Sequence, residues 1–109
     1  MKKPRKLLIE VMHKSKACLP CVYMEETVQQ VLPAYAGKII YSRVDLSSPQ
    51  GAKRFLELSC SLFGEEGVYK FHRLAPVPSL FINEELVFDA IPSLDELKEA
   101  IEAYATQNA

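Results

Sequence analysis

The spacing of apolar residues changes period several times along the chain, and each change predicts an element. Lys6 to Met12 (KLLIEVM) is a short, nearly continuous apolar run bounded by polar residues. That pattern belongs to a strand buried on both faces, hence a central one. Further on the period lengthens: Met24, Val28, Val31, Leu32 and Tyr35 fall at i, i+4, i+7, i+8 and i+11, one apolar stripe of a helix. Pro20 suits its first turn, where a missing N–H has no consequence. Pro33 kinks or ends this helix, and Gly37 closes its final turn.

Lys38 to Asp45 (KIIYSRVD) is β-branched and aromatic, as a second strand requires. Ser48-Pro49 reads as N-cap and first residue of a helix that runs to about Ser59, with Ala52, Phe55, Leu56 and Ser59 facing inward. Gly64 and Gly67 then break the pattern, while Val68, Phe71 and Leu74 allow a short further helix. Ser79 to Ile82 (SLFI) and Leu86 to Asp89 (LVFD), joined by Asn83-Glu84-Glu85, form a hairpin. Ser93-Leu94-Asp95-Glu96 is a capping-box sequence, and Leu94, Leu97, Ile101 and Tyr104 give the closing helix a buried stripe. The order is β-α-β-α-(α)-β-β-α. The first two strands form a parallel unit and the hairpin extends it antiparallel, so the expected class is α/β: a mixed four-stranded sheet with helices on both faces.

A chain of 109 residues suits one domain, here 1–109, with a hydrophobic core that needs no disulfide framework. Its 49% apolar and 25% charged residues are ordinary for a soluble globular protein. A net charge of −1 gives no general attraction to nucleic acid, so no nucleic-acid partner is expected. The run Leu7 to Met12 is interrupted by Glu10 and too short for a signal-peptide core or a membrane span, so no membrane partner is expected and a cytoplasmic location is favoured. Charge is unevenly placed. Lys2, Lys3, Arg5, Lys6, Lys14 and Lys16 precede Cys18, whereas Glu84, Glu85, Asp89, Asp95, Glu96, Glu99 and Glu102 make the C-terminal third acidic. These are either solvated surfaces or, at the N-terminal end, a basic rim that stabilises a thiolate at Cys18 and attracts anionic partners.

The stretch Ala17-Cys18-Leu19-Pro20-Cys21 sits between the first strand and the first helix. Three readings are open: a reactive dithiol, half of a zinc site, or two cysteines that only pack. An odd total of three cysteines argues against a secreted disulfide scaffold, and in a reducing compartment Cys-x-x-Cys points to redox chemistry or metal binding. Cys18, Cys21, Cys60 and His72 would supply a Cys₃His zinc set, but the second short knuckle usual in zinc modules is missing.

Taken together, the Cys-x-x-Cys at the strand–helix junction and Val77-Pro78 immediately before the hairpin resemble the thioredoxin-like superfamily, over roughly residues 5 to 106. The resemblance implies a thioredoxin-like fold, with a cis Val77–Pro78 bond beside the dithiol. It also implies an enzyme, a thiol-disulfide oxidoreductase with Cys18 as nucleophile and Cys21 as resolving thiol. Val77, Pro78, Leu19 and Pro20 would bind substrate, with Val77 and Pro78 holding an extended segment and Leu19 and Pro20 also tuning the potential. The implied partners are protein or small-molecule disulfides and thiols and an electron donor of unspecified identity; no bound cofactor and no metal are implied. Position supports the assignment: at a helix N-terminus Cys18 meets unsatisfied N–H groups and the positive end of the macrodipole, both of which favour a thiolate.

The chain departs from the pattern in places. Ala17 stands where thioredoxins proper carry Trp, and Met12 where they carry a buried acid, with Glu10 out of register by two. Glutaredoxins have a glycine pair and acidic residues after the hairpin that bind glutathione; here the sequence is Ala90-Ile91-Pro92-Ser93. A specialised oxidoreductase is therefore expected. The alternatives are a non-catalytic binding module on the same fold and the zinc domain. Cys60 reads as a small core residue or a third redox thiol. His13 and His72 read as surface or loop residues, and Tyr23 and Phe71 as exposed, packed, or lining a substrate groove.

Overall fold

The computed structural model describes residues 6–107. Strand β1 (Leu7–His13) leads to helix α1 (Leu19–Val31), which passes through a 3₁₀ turn (Leu32–Tyr35) to β2 (Ile39–Asp45). Helix α2 (Pro49–Tyr69), the hairpin β3 (Ser79–Ile82) and β4 (Glu85–Phe88), and helix α3 (Leu94–Gln107) complete the order. The sheet order is β2-β1-β3-β4. Strand β1 pairs parallel with β2 from Leu7↔Ile39 to His13↔Asp45, and antiparallel with β3 from Ile9↔Ile82 to Met12↔Ser79. The continuous apolar run is thus one of the two inner strands, as its lack of a polar face required.

Alternation along β1 separates two cores. Leu7, Ile9 and Val11 pack with Met24, Val28 and Val31 of α1, Leu97 and Ile101 of α3, and Leu80 and Ile82 of β3. Met12 faces the other way, joining Val44, Phe55, Leu58, Ala75 and Phe81 under α2. Helices therefore cover both faces, and each large side chain removed from water there contributes about 1.5–3 kcal/mol. Among the described residues no helix is long and apolar enough to cross a membrane.

The polar exception on the inner strand is Glu10, which faces α2 and is only 3% exposed. Arg54 of α2 grips it with two hydrogen bonds, Nε to Oε2 at 2.7 Å and Nη2 to Oε1 at 2.8 Å, and also reaches Glu84 at 3.1 Å and Glu57 at 3.4 Å. A carboxylate buried this deeply needs such a fork, since an unpaired one would forfeit its hydration.

Local signals set the ends of the elements. Ser48 caps α2, its Oγ accepting from the Gly51 N–H at 3.0 Å. Gly51 is required there, because a Cβ would collide with the Asp45 backbone. Ser93 and Glu96 form the reciprocal capping box of α3, with Ser93 N–H donating to Glu96 at 3.0 Å and Glu96 N–H donating to Ser93 Oγ at 3.1 Å.

Several boundaries differ from the sequence reading. Helix α2 does not stop at Ser59; it continues to Tyr69 across a kink at Gly64, whose φ of 75° lies in the left-handed region. The expected further helix is thus the distal part of α2, with Val68 buried but Phe71 and Leu74 exposed beyond its end. Leu58, not Leu56, is the inward leucine of α2. The hairpin loop is two residues, Asn83 and Glu84 at φ 50° and 70°, so Glu85 already belongs to β4 and Asp89 does not. Positive φ at both positions matches the right-handed twist of the strands. At the start of α3 Leu94 is exposed, and Tyr104 is half-buried.

Candidate functional site

Strand β1 ends at His13, and a short loop brings the chain to the first turn of α1. Ser15 organises that loop: its carbonyl accepts the Cys18 N–H at 3.0 Å and its hydroxyl accepts the Ala17 N–H at 3.2 Å. Cys18 is the N-cap residue, with extended backbone angles (φ −83°, ψ 96°). Its Sγ takes the place usually held by a serine or aspartate oxygen and accepts from the Cys21 N–H at 3.3 Å. Pro20 lies within the first turn, where its lack of an N–H leaves no gap in the helix.

Cys18 and Cys21 are joined as a disulfide, with Cα atoms 5.3 Å apart. The two sulfurs differ in environment. Cys18 is partly exposed, whereas Cys21 is fully buried and its Sγ accepts from the Lys14 N–H at 3.5 Å. An incoming group can reach Cys18, and Cys21 is shielded behind it.

Leu19 and Pro20 are exposed on the outer side of this turn. The Val77–Pro78 bond is cis, with Val77 exposed and Pro78 partly buried. Because Met12 pairs with Ser79, the segment leaving β1 toward Cys18 and the segment entering β3 through Val77 and Pro78 lie at the same end of the sheet. Ser79 itself is fully buried, and its hydroxyl has no hydrogen-bond partner among the described residues.

His13 corrects the sequence reading. It is not a surface or loop residue but the last residue of β1, 3% exposed, opposite Asp45 in the parallel ladder. Hydrogen bonds from the Ser47 hydroxyl and N–H hold the Asp45 carboxyl below its usual range, with the charges of Arg43 and His13 acting in the same direction. Next to it, Tyr41 donates to Glu25 at 2.6 Å; burial first, and then the adjacent carboxylate, hold the phenol protonated well above the usual tyrosine range.

The other candidates fall elsewhere. Cys60 is a partly buried free thiol on α2. His72 lies beyond α2 and is exposed, with φ 55°. Among the described residues no group of three or more His, Cys, Asp or Glu side chains is close enough to hold a metal ion, so the fold does not gather the Cys₃His set. Tyr23 and Phe71 are both exposed. Of the N-terminal basic residues, Lys2, Lys3 and Arg5 lie outside the described residues; Lys6, Lys14 and Lys16 are exposed.

No family model matches the chain, and no curated protein does. The chain is similar to solved structures, among them one described as the structure of a malarial protein. That similarity has a TM-score of 0.61 at 14% identity and covers 91% of this chain and 97% of the other. At that identity it concerns the fold alone.

Proposed function

We propose that the protein is a thiol-disulfide oxidoreductase of the thioredoxin-like superfamily, working through Cys18 and Cys21 in the cytoplasm on protein or small-molecule disulfides. The observation that carries this reading is the asymmetry of the pair. One sulfur is accessible and caps a helix N-terminus; its partner, one turn later, is buried.

In the reduced protein the same N-terminal N–H groups favour a Cys18 thiolate. A thiol of pKa ~8.5 is only about 3% ionised at pH 7, and one lowered to ~7 is about half ionised. The thiolate attacks a substrate disulfide, forming a Cys18–substrate bond as the substrate S–S bond breaks, and one substrate thiolate leaves and takes up a proton from water. Cys21 then loses its proton and attacks Cys18 Sγ, the mixed disulfide breaks, and the second substrate thiolate departs. Two electrons pass from the dithiol to the substrate, and the Cys18–Cys21 disulfide remains until a thiol donor reduces it.

Leu19, Pro20, Val77 and Pro78 surround the reacting sulfur in this reading, with Val77 and Pro78 holding the substrate segment. The mechanism is tested by single replacements. Cys18→Ser abolishes exchange with a small disulfide, whereas Cys21→Ser accumulates a mixed disulfide on Cys18, detected as an added mass. Full activity in both variants would overturn it.

A further inference from the structure

Two titratable side chains of β1 are buried, and they face opposite sides of the sheet. Glu10 points to α2, where Arg54 holds it. His13 shares the side of Ile9 and Val11, which α1 covers, because successive strand residues alternate. It therefore lies on the same side as the dithiol. How near it lies is shown by the next residue, Lys14, whose N–H donates to Cys21 Sγ at 3.5 Å. The Lys14 nitrogen is two bonds from the His13 Cα, so that Cα lies within about 6 Å of the buried sulfur, a distance an imidazole can span. The backbone there is fixed, since the His13 carbonyl accepts the Leu46 N–H at 2.9 Å. His13 also lines a polar groove of about 230 Å³ with Ser15, Lys16, Arg43, Asp45 and Ser47, which gives it a path to water.

Cys21 is fully buried, and its thiol must lose a proton before it can attack a mixed disulfide on Cys18. A thiolate shut away from water is costly, so the proton needs an acceptor at the site. The surrounding elements offer few. The first turn of α1 carries no acid. Glu25, further along α1, has both carboxylate oxygens engaged, one by Tyr41 at 2.6 Å and the other by Arg43 Nη1 at 3.2 Å. Lys14, Lys16 and Arg43 are cations with no acceptor to give, and Ser79 at the start of β3 presents a neutral hydroxyl. Asp45 of β2 directs Oδ1 to the Ser47 N–H at 3.0 Å and hydroxyl at 2.6 Å, which leaves Oδ2 unengaged opposite His13. A carboxylate so held is a weak base but a good counter-charge for an imidazolium. That leaves His13, the side-chain type that takes up and releases protons near neutral pH.

We propose that His13 is the proton acceptor for Cys21 in the resolving step, with Asp45 as the counter-charge and the groove as the exit for the proton. The proposal rests on the reading of Cys18 and Cys21 as an exchanging pair. As the Cys21 proton passes to a ring nitrogen of His13, the sulfur electron pair forms the bond to Cys18 Sγ. The Cys18–substrate bond breaks, its electrons leave with the substrate thiolate, and the imidazolium gives its proton to water in the groove.

The test mixes the reduced protein rapidly with one equivalent of dithiobis(nitrobenzoate), which releases one coloured thiolate when Cys18 attacks and a second when Cys21 resolves the adduct. This thiolate leaves without needing a proton, so the second phase reports proton removal from Cys21. The readout is the rate of the second phase relative to the first. In His13→Ala that ratio is expected to fall about a hundredfold at neutral pH, the lower end of what a positioned base contributes. The deficit shrinks as pH rises, because hydroxide replaces the missing base, and added imidazole restores part of the rate by entering the vacated site from the groove. His13→Gln fills the site and should be slow without rescue. A measurement on the unaltered residue accompanies these variants: in reduced wild type the His13 Cε1–H resonance should shift again as Cys21 ionises, and that step should vanish in Cys21→Ser. A second phase as fast as wild type in both His13 variants would overturn the proposal and leave the oxidoreductase reading standing. A slow phase in His13→Ala that neither pH nor imidazole restores would mean a structural role and overturn it too, as would a His13 resonance that does not sense Cys21. Absence of a second release in wild type would overturn both readings.

Discussion

Cys18 Sγ accepts a hydrogen bond from the backbone N–H of Cys21 at 3.3 Å, so the first cysteine of the pair caps the helix that buries the second. One turn of helix thereby gives the two sulfurs different surroundings. It turns donors toward the exposed sulfur and shields the other.

The first prediction concerns Cys18 in the reduced protein. Alkylation by iodoacetamide, followed residue by residue by mass spectrometry, is expected to show a Cys18 midpoint below ~8.5, the value of an unperturbed thiol. Cys18 should react much faster than Cys60 or Cys21 at neutral pH. A midpoint at or above the unperturbed value would mean that the capping geometry does not stabilise a thiolate.

Much of this arrangement was legible in the sequence, because the strongest signals there are local. The run Leu7 to Met12 has no polar face to turn to water, and Met24, Val28 and Val31 leave only one side on which α1 can pack. Ser48-Pro49 and Ser93 to Glu96 fix helix starts through hydrogen bonds within four residues. What was not legible depends on contacts between distant segments. Burial of His13 follows from its place opposite Asp45. The continuation of α2 past Ser59 follows from the buried Val68 and from Gly64, which kinks the helix without ending it.

A second prediction addresses the acid on the inner strand. Glu10 is buried on β1, and it is tied to Arg54. Arg54→Met leaves that carboxylate buried without its partner, and breaking a buried pair in this way is destabilising by about 3–5 kcal/mol. Arg54 is itself 27% exposed, so the lower end of that range is expected. Urea denaturation measures the loss, and the double variant Glu10→Gln/Arg54→Met should recover part of it. A loss below about 1 kcal/mol would class the pair with surface ion pairs.

The third prediction is a pH dependence. Hydrogen bonds from the Ser93 N–H, and then from its side chain, hold the Glu96 carboxyl below its usual value of 4.5. A carboxylate with a depressed folded pKa contributes stability that is present above the unfolded value and lost as pH falls through the folded one. Wild type should therefore exceed Glu96→Gln in stability at neutral pH. The difference should shrink below about pH 4.5, as thermal melts across pH 2.5 to 7 would show. A gap that stays constant into acid would mean that the capping box does not depend on the charge.

The central claim is that Cys18 and Cys21 form an exchangeable redox pair. Equilibrating the protein with graded dithiothreitol or glutathione buffers and counting free thiols, with a zinc assay on the same sample, tests it most directly. The account predicts one reversible two-electron transition that vanishes in Cys18→Ser and in Cys21→Ser, with no stoichiometric zinc. Thiols that never oxidise reversibly, or zinc bound one to one, would contradict it.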